Sequence, residues 1–420
     1  MKKVLVMAAL AASVAIPSTA FTQDEPIRIG ILVALEGAFA EGGADGVRNV
    51  EMALEEAGFE VAGRTIEYVV APSDTTPDTA VRQARKLVEQ DNVDIILGPL
   101  SGSEGIALRD YAKTVPDVTI INGISGALET TWVDPAENFF RFNLDGAQWG
   151  AGLGSYVVEE KGWTRVATVA ADYSFGYTNF LGFAVDFCRS GGEIAERFWV
   201  PLGSSDFGGV IAALPDDVDA IYLGVGGTDA INFLNQYQQA GSETNLIGGT
   251  IMADQTVLTS RGRAKDALIG TPTSGPLAVD NTDEAWTSYV ARYQAAFPED
   301  ERFPAPSLFG VGYYVAALAA IAAIEEVDGD ISDAQAFQAA LGGLSLETPL
   351  GVVELNENRQ ATGTVFINEV VEDGEGGLTN QLVATREGVN QTLGMTPEEF
   401  RAMGLPSRDT PDCAALGGAG

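Results

Sequence analysis

Short apolar runs alternate with amphipathic stretches from residue 27 onward. Ile27–Val33 (IRIGILV) reads as a buried strand, followed by the loop Ala34–Ala44 and an amphipathic helix over Asp45–Ala57 closed by Gly58. Thr65–Val70 is a strand, and Thr76–Glu89 a helix with Ala80, Ala84, Leu87 and Val88 at helical spacing. Asp94–Leu97 and Val118–Ile121 complete a first set. The pattern restarts after Asp145. Strands are expected at Trp163–Ala170, Ile194–Val200, Ala220–Gly224 and Asn245–Gly248, with helices at Tyr177–Arg189, Asp206–Ala213 and Asp229–Ala240 between them. This β-α-β-α order argues for parallel sheets covered on both faces, repeated in two lobes. Gly270–Pro276 reads as a loop. Helices follow at Asp283–Phe297, Ser307–Glu326 and Ser332–Leu341 and are expected to cover the first lobe. Extended segments at Gly351–Leu355 and Thr364–Val370 come last, before the Gly-rich turn Asp373–Gly377.

Leu308–Ile324 carries no charge and approaches the length of a membrane span. Its Ala, Gly and Tyr content suits a buried helix against a sheet. At the N-terminus, Lys2 and Lys3 precede the apolar run Val4–Ile16 and the small residues around Ala20. That arrangement reads as an export signal, residues 1–20, cleaved near Ala20 and leaving about 400 residues, enough for two domains. No Cys follows the run, so a lipid anchor is not expected.

The chain has 59 acidic and 24 basic residues, a formal charge of −35. Such a surface repels nucleic acid and anionic lipid. It serves solubility or attracts cationic solutes, and the composition does not separate the two. Histidine is absent, which removes His-based triads and His–metal sites. There is no Walker loop, G-x-S-x-G elbow or H-E-x-x-H. Gly224-Val225-Gly226-Gly227 lacks the last glycine and the acidic partner of a dinucleotide loop, and reads as a tight strand-to-helix turn. Neither catalysis nor a cofactor or metal is expected.

The loops point to binding. The strands VDIIL and VTII stop at GPLSGSEG and NGISGA. Ligands collect beyond the carboxyl ends of parallel strands, where free N–H groups and hydroxyls suit a polar or anionic group. Ser101, Gly102 and Ser103 open a helix, and a plain capping role for the serines competes with ligand contact.

These loops, with Gly98-Pro99-Leu100-Ser101-Gly102-Ser103, Gly123-Ile124-Ser125, and Phe139-Phe140-Arg141 followed by Asp145 and Gln148, resemble the branched-chain amino-acid-binding family of type I periplasmic solute-binding proteins. The resemblance implies two doubly wound parallel-sheet lobes joined by three hinge crossings. Residues 24–143 and 272–348 would form lobe 1, and 144–271 with 349–420 lobe 2. It implies a periplasmic protein, expected monomeric, that captures a small polar solute for the permease subunits of an ABC importer. A branched-chain or related amino acid leads; an amide, a urea-like compound or a small carboxylate is the alternative. A sensor of the same fold is a further one.

By the same resemblance, Gly123 and Ser125 hold the ligand's carboxylate and amine, and Phe39 borders the cleft. Gly42 stands where the family often places an aromatic, leaving that wall open or filled by ligand. Asp172-Tyr173-Ser174-Phe175-Gly176 matches the family's lid loop, with Phe175 or Tyr173 closing on the ligand and the other packed as core. Gly226 belongs to the same cleft. Thr250 replaces the acidic residue of the amino-acid binders, so either Asp254 pairs with an ammonium or the ligand is not an α-amino acid. The third crossing would bring the C-terminal tail back to lobe 2. Cys188 and Cys413, the only cysteines, are therefore expected to form a disulfide.

Overall fold

The computed structural model describes Glu25–Leu416; the expected export signal and the last four residues lie outside the described residues. Six strands form the first sheet. They are β1 (Ile27–Ala34), β2 (Glu60–Val61), β3 (Arg64–Ser73), β4 (Ile95–Leu97), β5 (Thr119–Ile121) and β6 (Phe139–Phe140). Their order is β2-β3-β1-β4-β5-β6, with β3, β1, β4, β5 and β6 parallel. β1 is central and buried nearly throughout, as an apolar run covered on both faces should be.

The second sheet holds β7 (Arg165–Ala171), β8 (Glu193–Val200), β9 (Ala220–Gly224), β10 (Asn245–Gly248), β11 (Pro272–Gly275), β12 (Leu346–Thr348), β13 (Gly351–Leu355), β14 (Ala361–Glu372) and β15 (Leu378–Val389). Its order is β12-β13-β14-β11-β10-β9-β7-β8, and β15 pairs with β14. The half from β11 to β8 is parallel, but β14 runs antiparallel to both β11 and β15. The expected pair of α/β lobes built on parallel sheets is present, and the second sheet adds antiparallel strands from β14 outward.

Two expectations change. Pro272–Gly275, read as loop, is a fully buried central strand, with Ser274 Oγ donating to the Trp149 carbonyl at 2.7 Å. The first helix begins at Ala40, not Asp45. A Cβ on Gly43 would collide with the Ala34 carbonyl, so glycine serves close packing there.

The apolar helix Leu308–Glu326 is buried in the first lobe, against the helix Ala40–Glu56 and β1. Tyr313 lies over Gly46 and Gly123, and its hydroxyl donates to the Leu32 carbonyl at 2.7 Å. The tail packs onto the lobes as far as Leu416. Cys188 and Cys413 form the expected disulfide. A short helix, Pro397–Ala402, buries Phe400 edge-on against Trp132 at 5.2 Å, with the Arg401 guanidinium 4.9 Å from the same indole. Trp132 belongs to the first lobe, on the helix Glu129–Trp132 between β5 and β6.

Candidate functional site

The hinge is built from the segment that follows β6. Arg141 is completely buried, and its side chain donates to the Ala127 carbonyl (2.7 Å), Thr131 Oγ1 (2.6 Å) and Gln360 Oε1, while Asp145 lies 3.5 Å away. Gln360 donates to Gln148 Oε1 at 2.9 Å, Gln148 to the Val389 carbonyl at 2.8 Å, and Gln391 to Asp145 Oδ2 at 3.2 Å. One polar knot thus joins the segments that run between the sheets. Burial lowers the Arg141 pKa to about 10, against the opposing pull of Asp145 and Glu129. Burial also raises Asp145, opposed by Arg141. Neither charge is tolerated in that interior without the other.

Above this knot the two lobes meet through the expected loops. Ser103 Oγ lies 3.1 Å from Ser174 Oγ, and the Leu128 N–H donates to Thr178 Oγ1 at 3.2 Å. Gly102 is so close to the lid that a Cβ there would come 2.9 Å from Phe175 Cβ. Ser101 ends an extended segment before the helix Gly102–Ala112; its Oγ is buried without a protein partner, while its N–H donates to Glu104 Oε2 at 3.0 Å. Gly227, with φ +55°, abuts the Ala38 carbonyl, where a Cβ would collide. The lobes are closed on each other.

The other expected residues take these places. Phe39 is buried and tilts on Phe309 at 5.6 Å. The wall at Gly42 is neither open nor ligand-filled, because the Phe309 ring lies on that glycine. Gly123 is covered by Tyr313. Ser125 is wholly buried and its hydroxyl donates to Asn122 Oδ1 at 2.5 Å, engaging it with the hinge. Of the two lid aromatics, Phe175 is packed between Gly126, Gly146 and Trp149, whose ring is 5.5 Å distant. Tyr173 stays half-buried between the lobes. Its pKa is raised by burial first, then by the Asp229 and Glu104 carboxylates. Gly226 caps the helix Gly227–Gln239 beside Ile251.

Thr250 Oγ1 accepts from Asn179 Nδ2 at 3.2 Å. Asp254 accepts from the N–H groups of Thr256 (3.0 Å) and Leu308 (2.7 Å), so it caps one helix and touches the start of another across the lobes. Sequence reasoning placed Gly227 in a tight turn without a role in closure, and did not single out Asn179, Phe309 or Glu104. Asn179 and Phe309 are placed by tertiary packing alone. Glu104 carried a local signal, standing three residues after Ser101 as a capping box does.

Two lobes closing on hydroxyl-lined loops over a shared hinge define a solute-clasping protein. The chain belongs to the periplasmic binding protein family, whose sequence profile matches residues 26–375. Leu/Ile/Val-binding protein homolog 6 of Brucella melitensis is 23% identical over 395 residues, covering 92% of this chain and 97% of the relative. An ABC transporter substrate-binding protein from Sphaerobacter thermophilus superposes with a TM-score of 0.78 at 26% identity, covering 87% of this chain and 99% of its own. An ABC transporter solute-binding protein from Rhodopseudomonas palustris BisB5, solved with 3,4-dihydroxybenzoic acid, gives 0.79 at 25% identity, covering 89% and 99%. The family match ends before β15 and the tail.

Proposed function

We propose that this protein is exported to the periplasm, captures a small carboxylate-bearing solute between its lobes, and delivers it to the permease subunits of an ABC importer. The observation that carries the reading is the meeting of Ser101–Ser103 with Tyr173–Phe175, and of Ala38–Phe39 with Gly226–Gly227, across one hinge. Contacts from both lobes favour the shut state only when a ligand links them. A branched-chain amino acid is the lead ligand, supported by the Brucella relative's name. A hydroxylated aromatic acid is the second reading, supported by the aromatic pair Phe39–Phe309 in the wall and by the Rhodopseudomonas neighbour. Ser101–Ser103 and the Ser174 hydroxyl offer hydrogen bonds and no nucleophile with a base, so the solute leaves unchanged.

The test is calorimetric titration and thermal shift of the purified protein with leucine, isoleucine, valine, 3,4-dihydroxybenzoate and small amides. Saturable one-to-one binding without turnover is expected, with about 2.7 kcal/mol of stabilisation at a hundredfold excess over Kd. Turnover of a bound compound, or no response to any of them, would overturn the reading. The protein should elute as a monomer with and without ligand.

A further inference from the structure

The lid loop Asp172–Gly176 has a neighbour from far along the chain, the C-terminal tail that lies beyond the family match. Arg408 of that tail grips the Asp172 carboxylate with two arms of its guanidinium, Nε to Oδ1 at 2.9 Å and Nη2 to Oδ2. The Arg408 carbonyl accepts from Trp199 Nε1 at 3.2 Å. The Trp199 ring stands edge-on to Tyr177 at 4.9 Å, and the Tyr177 hydroxyl donates to Asp172 Oδ1. Asp172, Arg408, Trp199 and Tyr177 thus close a ring of contacts around the base of the lid. Further along the tail, Arg197 of β8 donates to the Pro411 carbonyl, and the disulfide pins Cys413.

An exposed ion pair contributes little by itself, because ordering two free side chains offsets the attraction. This one differs in two respects. Its geometry is bidentate, and the Arg408 backbone is already fixed by Trp199 and the disulfide, so less freedom is lost in forming it. The Arg408 side chain is 61% exposed but that of Asp172 only 17%. Arg408, ahead of Tyr177, holds the Asp172 carboxyl below its ordinary range. The position of the grip matters as much as its strength. Directly after Asp172 come Tyr173, half-buried between the lobes, and Ser174, whose hydroxyl meets Ser103 of the other lobe at 3.1 Å.

We propose that Arg408 is a positioning residue for solute capture. Through Asp172 the tail holds the lid loop where Tyr173 and Ser174 meet the opposite lobe. The effect on affinity rests on the proposed function; the hold on the lid does not depend on it.

The experiment is amide hydrogen exchange on the purified full chain without solute, with calorimetric titration of leucine and 3,4-dihydroxybenzoate alongside. The amides to follow are those of Asp172, Tyr173 and Tyr177, bonded to the Val200, Ala171 and Tyr173 carbonyls at 2.7, 2.9 and 3.1 Å. In Arg408→Gln they should exchange about threefold to fivefold faster, the scale of one such pair. Whichever probe binds should lose affinity by a similar factor. Arg408→Lys, which keeps the charge without the fork, should recover part of both losses. Asp172→Asn should reproduce them, and the double variant should be no worse than Arg408→Gln alone. Arg165→Gln, which breaks an exposed pair at the other end of β7, should change neither. Unchanged lid exchange in both single variants, or full additivity in the double variant, overturns the proposal. Faster exchange with unaltered affinity overturns the role in capture. Should neither probe bind the parent, the solute-binding reading loses its support, and the exchange rates still decide whether the tail holds the lid.

Discussion

Glu104 is completely buried, with one carboxylate oxygen on the Ser101 N–H and the other without a protein partner. Burial pushes its pKa from 4.5 to about 7, opposed first by the neighbouring Ser73 hydroxyl and then by the Ser101 N–H, both of which favour the charged form. Between those two values the folded chain holds a proton that the unfolded chain has released. Stability attributable to this group therefore falls as pH rises from about 4.5 to 7 and is level outside that window. Glu104→Gln should be more stable than the parent above pH 7, by about 3 kcal/mol, with the gain shrinking to nothing near pH 4.5. Denaturant melts of both proteins across that range check it, and a pH-independent difference would refute the assignment. No histidine titrates in the same window to obscure the result.

At the level of elements, closure depends on the start of the helix Gly227–Gln239 meeting the loop after β1. Gly227→Ala should lower solute affinity at least tenfold, because its methyl meets the Ala38 carbonyl only when the lobes are shut. The positive φ costs about 1 kcal/mol in either state. Gly241→Ala is the control, with φ +69° and nothing within 4 Å. Equal affinities for the two variants would show that this contact is not part of closure. The alternation of elements was legible because buried parallel strands read as apolar runs and the helices keep their period, as in Ile27–Ala34 and Pro77–Glu89. β11 was illegible, since Pro, Thr, Ser and Gly form a strand only because β10 and β14 flank them. β15 escaped for the opposite reason: it is half-exposed and mixes polar with apolar residues. The loops of the cleft could be read from their small and hydroxyl residues. Ser125 shows the limit within a single residue, its type pointing to a ligand and its hydroxyl turning to Asn122.

For the whole molecule, the disulfide closes a loop with a sequence separation of 225 and fixes the tail to the second lobe. Chain entropy assigns such a closure about 5 kcal/mol. Reduction, or Cys413→Ser, should lower the melting temperature markedly, and equal melting with and without reductant would show that the tail holds without it. The tail also crosses to the first lobe, where Phe400 and Arg401 rest on Trp132. Hinge opening must draw that indole away from the phenyl edge and the guanidinium. The protein thus carries a built-in optical gauge: its ultraviolet emission should change as solute is added, with no dye attached. Trp132→Phe should shrink the change to what Trp149 contributes beside Phe175, while leaving calorimetric affinity intact, so that the opening and shutting of the clasp can be followed in real time by the glow of its own indoles.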